Sequence, residues 1–366
     1  MTLDFFPSRT LTFYLAKTFI VRILAVLVML VVILQMLDLL TESADILAYP
    51  GNNEAQLWTY VTLRVPQLVS RFLPYSVLLA TIITLATLNQ NSEVIAMKSA
   101  GLSAHQILAP LLATAAIVSS VSFVFNERVV THATATLKAW NAVDYGPIPK
   151  QSVVHSNVYL NNGADILYAA LVSGSGNDIV MKNVTFYERD ANGMITRELR
   201  SPSATYAAPG WLLKSPVMFD VQSADTRELG EDLLIARGLK PRQIDLNSVD
   251  ADAQPLSELS ASISSLRAAG RPTAELEGKW WHKISGPLSA ILMPLLGAVA
   301  GFGLARSGQL FVRAVIGMAL GFTYFVVDNA ALAMGSFGGY PPFLSAWAPF
   351  FLFLLVGETV LIRTEE

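Results

Sequence analysis

The chain contains no cysteine, so neither a disulfide nor a thiolate nucleophile is open to it. Its four histidines, His105, His132, His155 and His282, are scattered without H-E-x-x-H or any other metal spacing. No G-x-x-x-x-G-K-[ST] stretch occurs, which excludes a P-loop ATP site of the chain's own, and no G-x-S-x-G elbow is present. The expectation is a non-enzyme without a catalytic residue, a metal site or a bound cofactor. Charge is also scarce, at 14% of residues, whereas 53% are hydrophobic and the mean hydropathy is +0.47. That composition lies on the membrane side of the globular range.

The apolar residues fall into blocks at 19–40, 68–88, 102–125, 284–304, 311–332 and 343–362. Each supplies about the 20 residues that a helix rising ~1.5 Å per residue needs to cross ~30 Å of hydrocarbon. Arg9, Lys17 and Arg22 lie at the start of the first block, while the loop after it carries Glu42, Asp45 and Glu54. The bias predicts a cytoplasmic N-terminus, and six crossings return the C-terminus to the same side. Arg306 and Arg313, between spans four and five, agree with that alternation. Parity then places the insert between spans three and four on the opposite face, which in a bacterium is the periplasm. A cleaved signal peptide also begins with positive residues. This apolar core is longer than such a peptide needs, and no clear small-x-small site follows it.

The insert reads as all-β. Stretches at 157–160, 165–171, 179–187, 196–199, 204–206 and 217–221 are alternating, aromatic or β-branched. Turn signals separate them, among them Asn161-Asn162-Gly163, the Gly/Ser-rich run 173–177 and Asn192-Gly193. Short strands at this spacing predict a sandwich, a jelly roll or a related open barrel. A helix is expected over 256–269, started by Pro255 and Ser257 and stopped by Gly270 and Pro272. Another is expected over 131–141, as an extension of span three.

Between spans two and three, residues 91–100 read as a short amphipathic helix. Ser92 is placed to cap it, Glu93 and Lys98 flank Val94, Ile95 and Met97, Gly101 stops it, and Ser103 is placed to cap the next span. Such a helix can dock in a groove of a cytoplasmic protein, or it can be a plain interfacial loop helix. Ionisable residues at membrane depth ask for a partner or a wet surface. Arg64, Arg71 and Arg128 are candidates for gripping anionic groups at one headgroup level, with snorkelling to lipid phosphate as the alternative. Asp328 lies deeper, in span five, where Gly317 and Gly321 form a G-x-x-x-G pair suited to close helix approach.

Local sequences run parallel to this layout. They include Tyr14-Leu15-Ala16-Lys17-Thr18, Asp38, Val65-Pro66, Phe72-Leu73-Pro74, Asn91-Ser92-Glu93, Ala100-Gly101 and Trp281-His282-Lys283-Ile284-Ser285-Gly286-Pro287-Leu288. Through them essentially the whole chain resembles the LptF/LptG (YjgP/YjgQ) lipopolysaccharide export permease family, and its LptG branch more than its LptF branch. The resemblance implies a polytopic α-helical membrane protein with six transmembrane helices and a large periplasmic all-β, β-jellyroll-like domain between helices three and four. The parts are then an N-terminal transmembrane half, 1–125, a periplasmic domain, 126–283, and a C-terminal half, 284–366. It implies residence in a Gram-negative inner membrane and export of lipopolysaccharide. The partners it implies are an LptF-like paralogue, an LptB-like ATPase dimer carrying ATP and Mg, an LptC-like single-span protein and an LptA-like periplasmic bridge, with no nucleic acid.

By the same resemblance Glu93, Val94, Met97 and Lys98 belong to the helix that couples to the ATPase, and spans one and five supply lateral gates and cavity. The gate or cavity residues so placed are Gln35, Asp38, Gly317, Gly321 and Asp328. Gln35 and Gln67 stand where some LptG sequences have lysines, which leaves Arg64 and Arg71 as substitutes. The alternatives are a permease for another envelope lipid or for lipoproteins, and a non-transporting membrane scaffold.

Overall fold

Long apolar runs become long helices. The computed structural model describes residues 6–148, 155–174, 178–190, 193–221, 223–240, 249–268, 271–301 and 310–363. The first helix, α1, covers Arg9–Ala48 and α2 covers Glu54–Gln90; a short α3, Glu93–Ser99, leads to α4, Ala104–Phe125. A π-helical turn, Asn126–Val130, joins α4 to α5, Thr131–Asn141. After the strands come α6, Leu256–Ala268, α7, Ala274–Gly301, α8, Leu310–Ser336, and α9, Pro342–Arg363. Among the described residues, five helical stretches are long and apolar enough to cross a membrane: Arg9–Ala48, Glu54–Gln90, Ala104–Asn141, Ala314–Ser336 and Pro342–Arg363. The block expected at 284–304 is covered by α7 up to Gly301, and its last three residues lie outside the described ones, as does Arg306.

The chain divides into two compact units. The first comprises Met1–Thr41, Val61–Ala133 and Ala251–Glu366; the second comprises Glu42–Tyr60 and Thr134–Asp250. In the first unit α1 buries a single stripe, Leu15, Phe19, Ile23, Leu27, Val31 and Gln35, and exposes Leu24, Val28, Val32 and Met36. Apolar side chains all round with one buried stripe suit a helix whose other faces meet lipid. The buried stripe of α8 runs Gly317, Gly321, Tyr324, Asp328, Ala331 and Gly335. A Cβ on Gly321 would stand 2.2 Å from Leu78 Cδ2 of α2, and one on Gly335 would stand 2.5 Å from Ser345 Cβ of α9. Those two glycines are therefore approach points. Hydroxyls inside the bundle bond back to their own helix, as in Ser76 to Phe72 O (2.9 Å) and Thr81 to Val77 O (2.7 Å). Pro66, Pro74, Pro287 and Pro294 all lie inside helices, where each lacks the N–H that would bond four residues back.

The second unit carries an antiparallel sheet in the order β1 (His155–Asn162), β2 (Asp165–Ser173), β3 (Val180–Arg189), β4 (Ile195–Ala207), β5 (Gly210–Lys214), β8 (Leu233–Ile235). Two further strands, β6 (Val217–Asp220) and β7 (Asp225–Glu228), branch from β4. The stretches expected at 196–199 and 204–206 are one strand, β4. Pro202 does not end it. Residues 197–200 pair with β6 and residues 203–207 with β5, so the branch falls at Ser201-Pro202. Pro202 has no N–H to offer a partner there, and the Ser201 hydroxyl bonds to Lys214 O (2.6 Å). One face buries Leu167, Val184, Phe186, Leu199, Trp211 and Leu213. The turns at 175–177 and at Asn192 lie outside the described residues.

Tyr145 organises the helical part of this unit. Its hydroxyl donates to Glu42 Oε2 (2.6 Å) and accepts from Asn141 Nδ2 (2.8 Å), while Asn52 Nδ2 donates to Tyr145 O (2.8 Å) and Ile46 O (2.7 Å). Burial, then the hydrogen bond to Glu42, pushes the Tyr145 phenol up to about 12.

Candidate functional site

Four α2 side chains at i, i+3, i+7 and i+11, Arg64, Gln67, Arg71 and Tyr75, fall on one helical face. Arg64 is held at its near end. Its Nε and Nη2 donate to Asp38 Oδ2 (3.0 Å) and Oδ1 (2.8 Å) of α1, and its Nη1 donates to Gln67 Oε1 (2.9 Å). Asp38, placed by its position near the end of span one, is thus the counter-ion of Arg64, and the bidentate geometry is the strong form of that pair. Gln35 lies on α1 one turn before Asp38. It is 8% exposed, and neither of its amide atoms has a hydrogen-bond partner among the described residues. An amide so placed can receive a polar group that approaches it.

Arg71 is exposed and joins no ion pair among the described residues. Tyr75, one turn further, stacks on Phe325 of α8 with ring centroids 3.9 Å apart. Arg128 is exposed on the π-helical turn. Its neighbour Glu127 accepts from the Leu256 N–H at the start of α6 (2.7 Å) and lies 3.6 Å from Lys283 Nζ of α7. The structure therefore joins Arg64, Asp38 and Gln67, with Arg71 on the same face of α2 and Arg128 on the π-helical turn.

At the other end, α3 turns one face inward. Val94 and Met97 are buried in the helical core, Ile95 is exposed, and Glu93 and Lys98 are half-buried. Glu93 accepts from Tyr14 Oη of α1 (3.2 Å) and from Asn91 Nδ2 (3.3 Å). Ser92 does not cap α3. Its φ of 62° puts it in the left-handed region, and its side chain makes no cap bond. Ser103 does cap α4, in a reciprocal box with Gln106: each side chain bonds the other's backbone N–H, both at 3.1 Å. Gly101, at φ 90°, ends α3 as expected. Sequence reasoning missed the roles of Gln67, Tyr75 and Tyr14. The helical spacing from Arg64 was a signal for the first two, whereas the Tyr14–Glu93 contact spans 79 residues and left none.

Long apolar helices with a polar face on α2, joined to an antiparallel β unit, define a polytopic helical membrane protein. The family described as Lipopolysaccharide export system permease LptF/LptG matches residues 13–363, and the chain belongs to it. It is similar to the lipopolysaccharide export system permease protein LptG of Escherichia coli K12, with 25% identity over 98% of this chain and 99% of that protein. The protein of the same name from Haemophilus influenzae is likewise 25% identical, over 98% and 99%. As a member of this family the chain is an ABC-type permease subunit for lipid export, a transporter component and not an enzyme.

Proposed function

We propose that the chain extracts lipopolysaccharide from a Gram-negative inner membrane and passes it to an LptA-like periplasmic bridge. It does so with an LptF-like paralogue, an LptC-like single-span protein and an LptB-like ATPase dimer that holds ATP and Mg. It crosses the membrane six times with both termini cytoplasmic. The halves 1–125 and 284–366 flank a periplasmic, jellyroll-like 126–283. The family match over 13–363 is the observation that carries this proposal.

In this scheme α3 takes the push of the ATPase. Val94 and Met97 root it in the core, so a displacement of Glu93, Ile95 and Lys98 moves the bundle with it. Arg71 is the cation ready for phosphate or acidic sugar, since Asp38 and Gln67 already occupy Arg64. The narrow buried stripes of α1 and α8, with Gln35, Asp38, Gly317, Gly321 and Asp328 on or beside them, leave wide apolar faces for gates against partner helices and for acyl chains.

The test is ATP-driven release of radiolabelled lipopolysaccharide from proteoliposomes holding this chain with its paralogue, ATPase and periplasmic acceptor. Native complex is expected to transfer the lipid and Glu93→Ala to lose most of that transfer. A native complex that hydrolyses ATP without transfer points to another envelope lipid, a lipoprotein or a scaffold.

A further inference from the structure

We propose that His282 and Asp328 form a proton-binding site inside the helical unit, holding one proton between an imidazole and a carboxylate. The proposal stands apart from the identity of the exported lipid. Asp328 of α8 is 5% exposed, and its Oδ1 has no hydrogen-bond partner among the described residues. Its Oδ2 lies 3.8 Å from His282 Nδ1 of α7, beyond the ~2.7–3.2 Å of a formed N–H···O bond. Ser285 Oγ lies 3.5 Å from the same ring nitrogen.

The surroundings leave this carboxylate to the histidine. Tyr324, one turn before Asp328, shares its hydrogen bond with Ser289, whose own hydroxyl donates to Gly286 O (2.6 Å). Lys283 is engaged by Glu127. On α2, Tyr75 lies within electrostatic range of both Arg71 and Asp328, and its ring lies on Phe325. Just before α9, Tyr340 donates to Ala331 O of α8 (2.8 Å), and from α9 Phe343, which does not titrate, packs on Trp281.

A buried carboxylate in a membrane helix needs a partner of opposite charge or a proton of its own. Lysine or arginine would be a permanent partner, whereas histidine is a cation only when it holds a proton. With one proton between them the two groups sum to zero, whichever of them carries it. With none, a bare negative charge stays buried; with two, the pair carries a net positive charge without its attraction. The single-proton state also lets α7 and α8 part. Once the pair closes from 3.8 Å to hydrogen-bond distance, the N–H bond at His282 Nδ1 breaks and an O–H bond forms at Asp328 Oδ2, so both side chains become neutral with no proton entering or leaving. His282 is one-third exposed, whereas Asp328 is buried.

The experiment counts protons in the assembled complex in lipid nanodiscs. Nitrogen-15 NMR of His282, assigned by its loss in His282→Gln, reports the imidazole. The carboxylic-acid infrared band, assigned by its loss in Asp328→Asn, reports the carboxyl. At neutral pH one proton is expected: imidazolium without the acid band, or neutral imidazole with it. In His282→Gln the acid band of Asp328 is expected at neutral pH. Neutral imidazole beside an ionised Asp328, both groups protonated together, or an ionised Asp328 in His282→Gln would each overturn the proposal. Labelling only this chain and replacing His105, His132 and His155 leaves His282 as its one histidine, which assigns the native imidazole even where a variant of the pair fails to assemble.

Discussion

Asp38 and Arg64 lie 26 residues apart and meet through two oxygens, so the guanidinium is committed before any ligand arrives. A double-mutant cycle with Asp38→Ala and Arg64→Ala, followed by thermal unfolding in nanodiscs, is expected to give a coupling of about 1–3 kcal/mol. Arg71→Ala removes no such pair. Its unfolding is expected to stay within about 0.5 kcal/mol of native, while lipopolysaccharide release falls severalfold. Equal losses of stability from Arg64→Ala and Arg71→Ala would contradict this division of labour. Arginines near a span end were legible in the sequence as headgroup candidates. Their difference was not, because it depends on which α1 residue faces which turn of α2.

At the scale of elements, α3 has an inner and an outer side. Met97→Ala is expected to cost about 2–5 kcal/mol by opening a cavity in the core. Ile95→Ala should leave unfolding unchanged and weaken association with the ATPase, read by co-purification. The two helix approaches differ as well. A methyl on Gly335 meets Ser345 Cβ, which is fixed to the backbone, whereas one on Gly321 meets the end of the Leu78 side chain. Gly335→Ala is therefore expected to lower stability by about 1–3 kcal/mol and Gly321→Ala by less. The helices were legible because apolar runs of this length have few other fates. Strands such as 165–171 were legible from their alternation. β7 was not, since Asp225–Glu228 is polar and exposed throughout, and β4 was divided in two because Pro202 imitates a stop.

At the scale of the whole molecule, the second unit depends on part-buried polar bonds at its helix ends as well as on its sheet. Tyr145→Phe strands Glu42 and Asn141, an expected cost of about 1–3 kcal/mol. The native phenol is raised from 10.0 to about 12, so its contribution is fully present below pH 10 and is lost as pH rises toward 12. Unfolding of native protein and Tyr145→Phe should therefore converge across that window; curves that coincide below pH 10 would show that the hydroxyl adds nothing, and a constant gap would show that its ionisation is not linked to folding. The first unit has a different consequence. From Arg64 to Tyr75 the polar face of α2 climbs about 16 Å at ~1.5 Å per residue, set against ~30 Å of hydrocarbon. Wherever that stretch enters the hydrocarbon, the low-dielectric layer is interrupted along one side of α2, so a charged group held against it keeps part of its solvation.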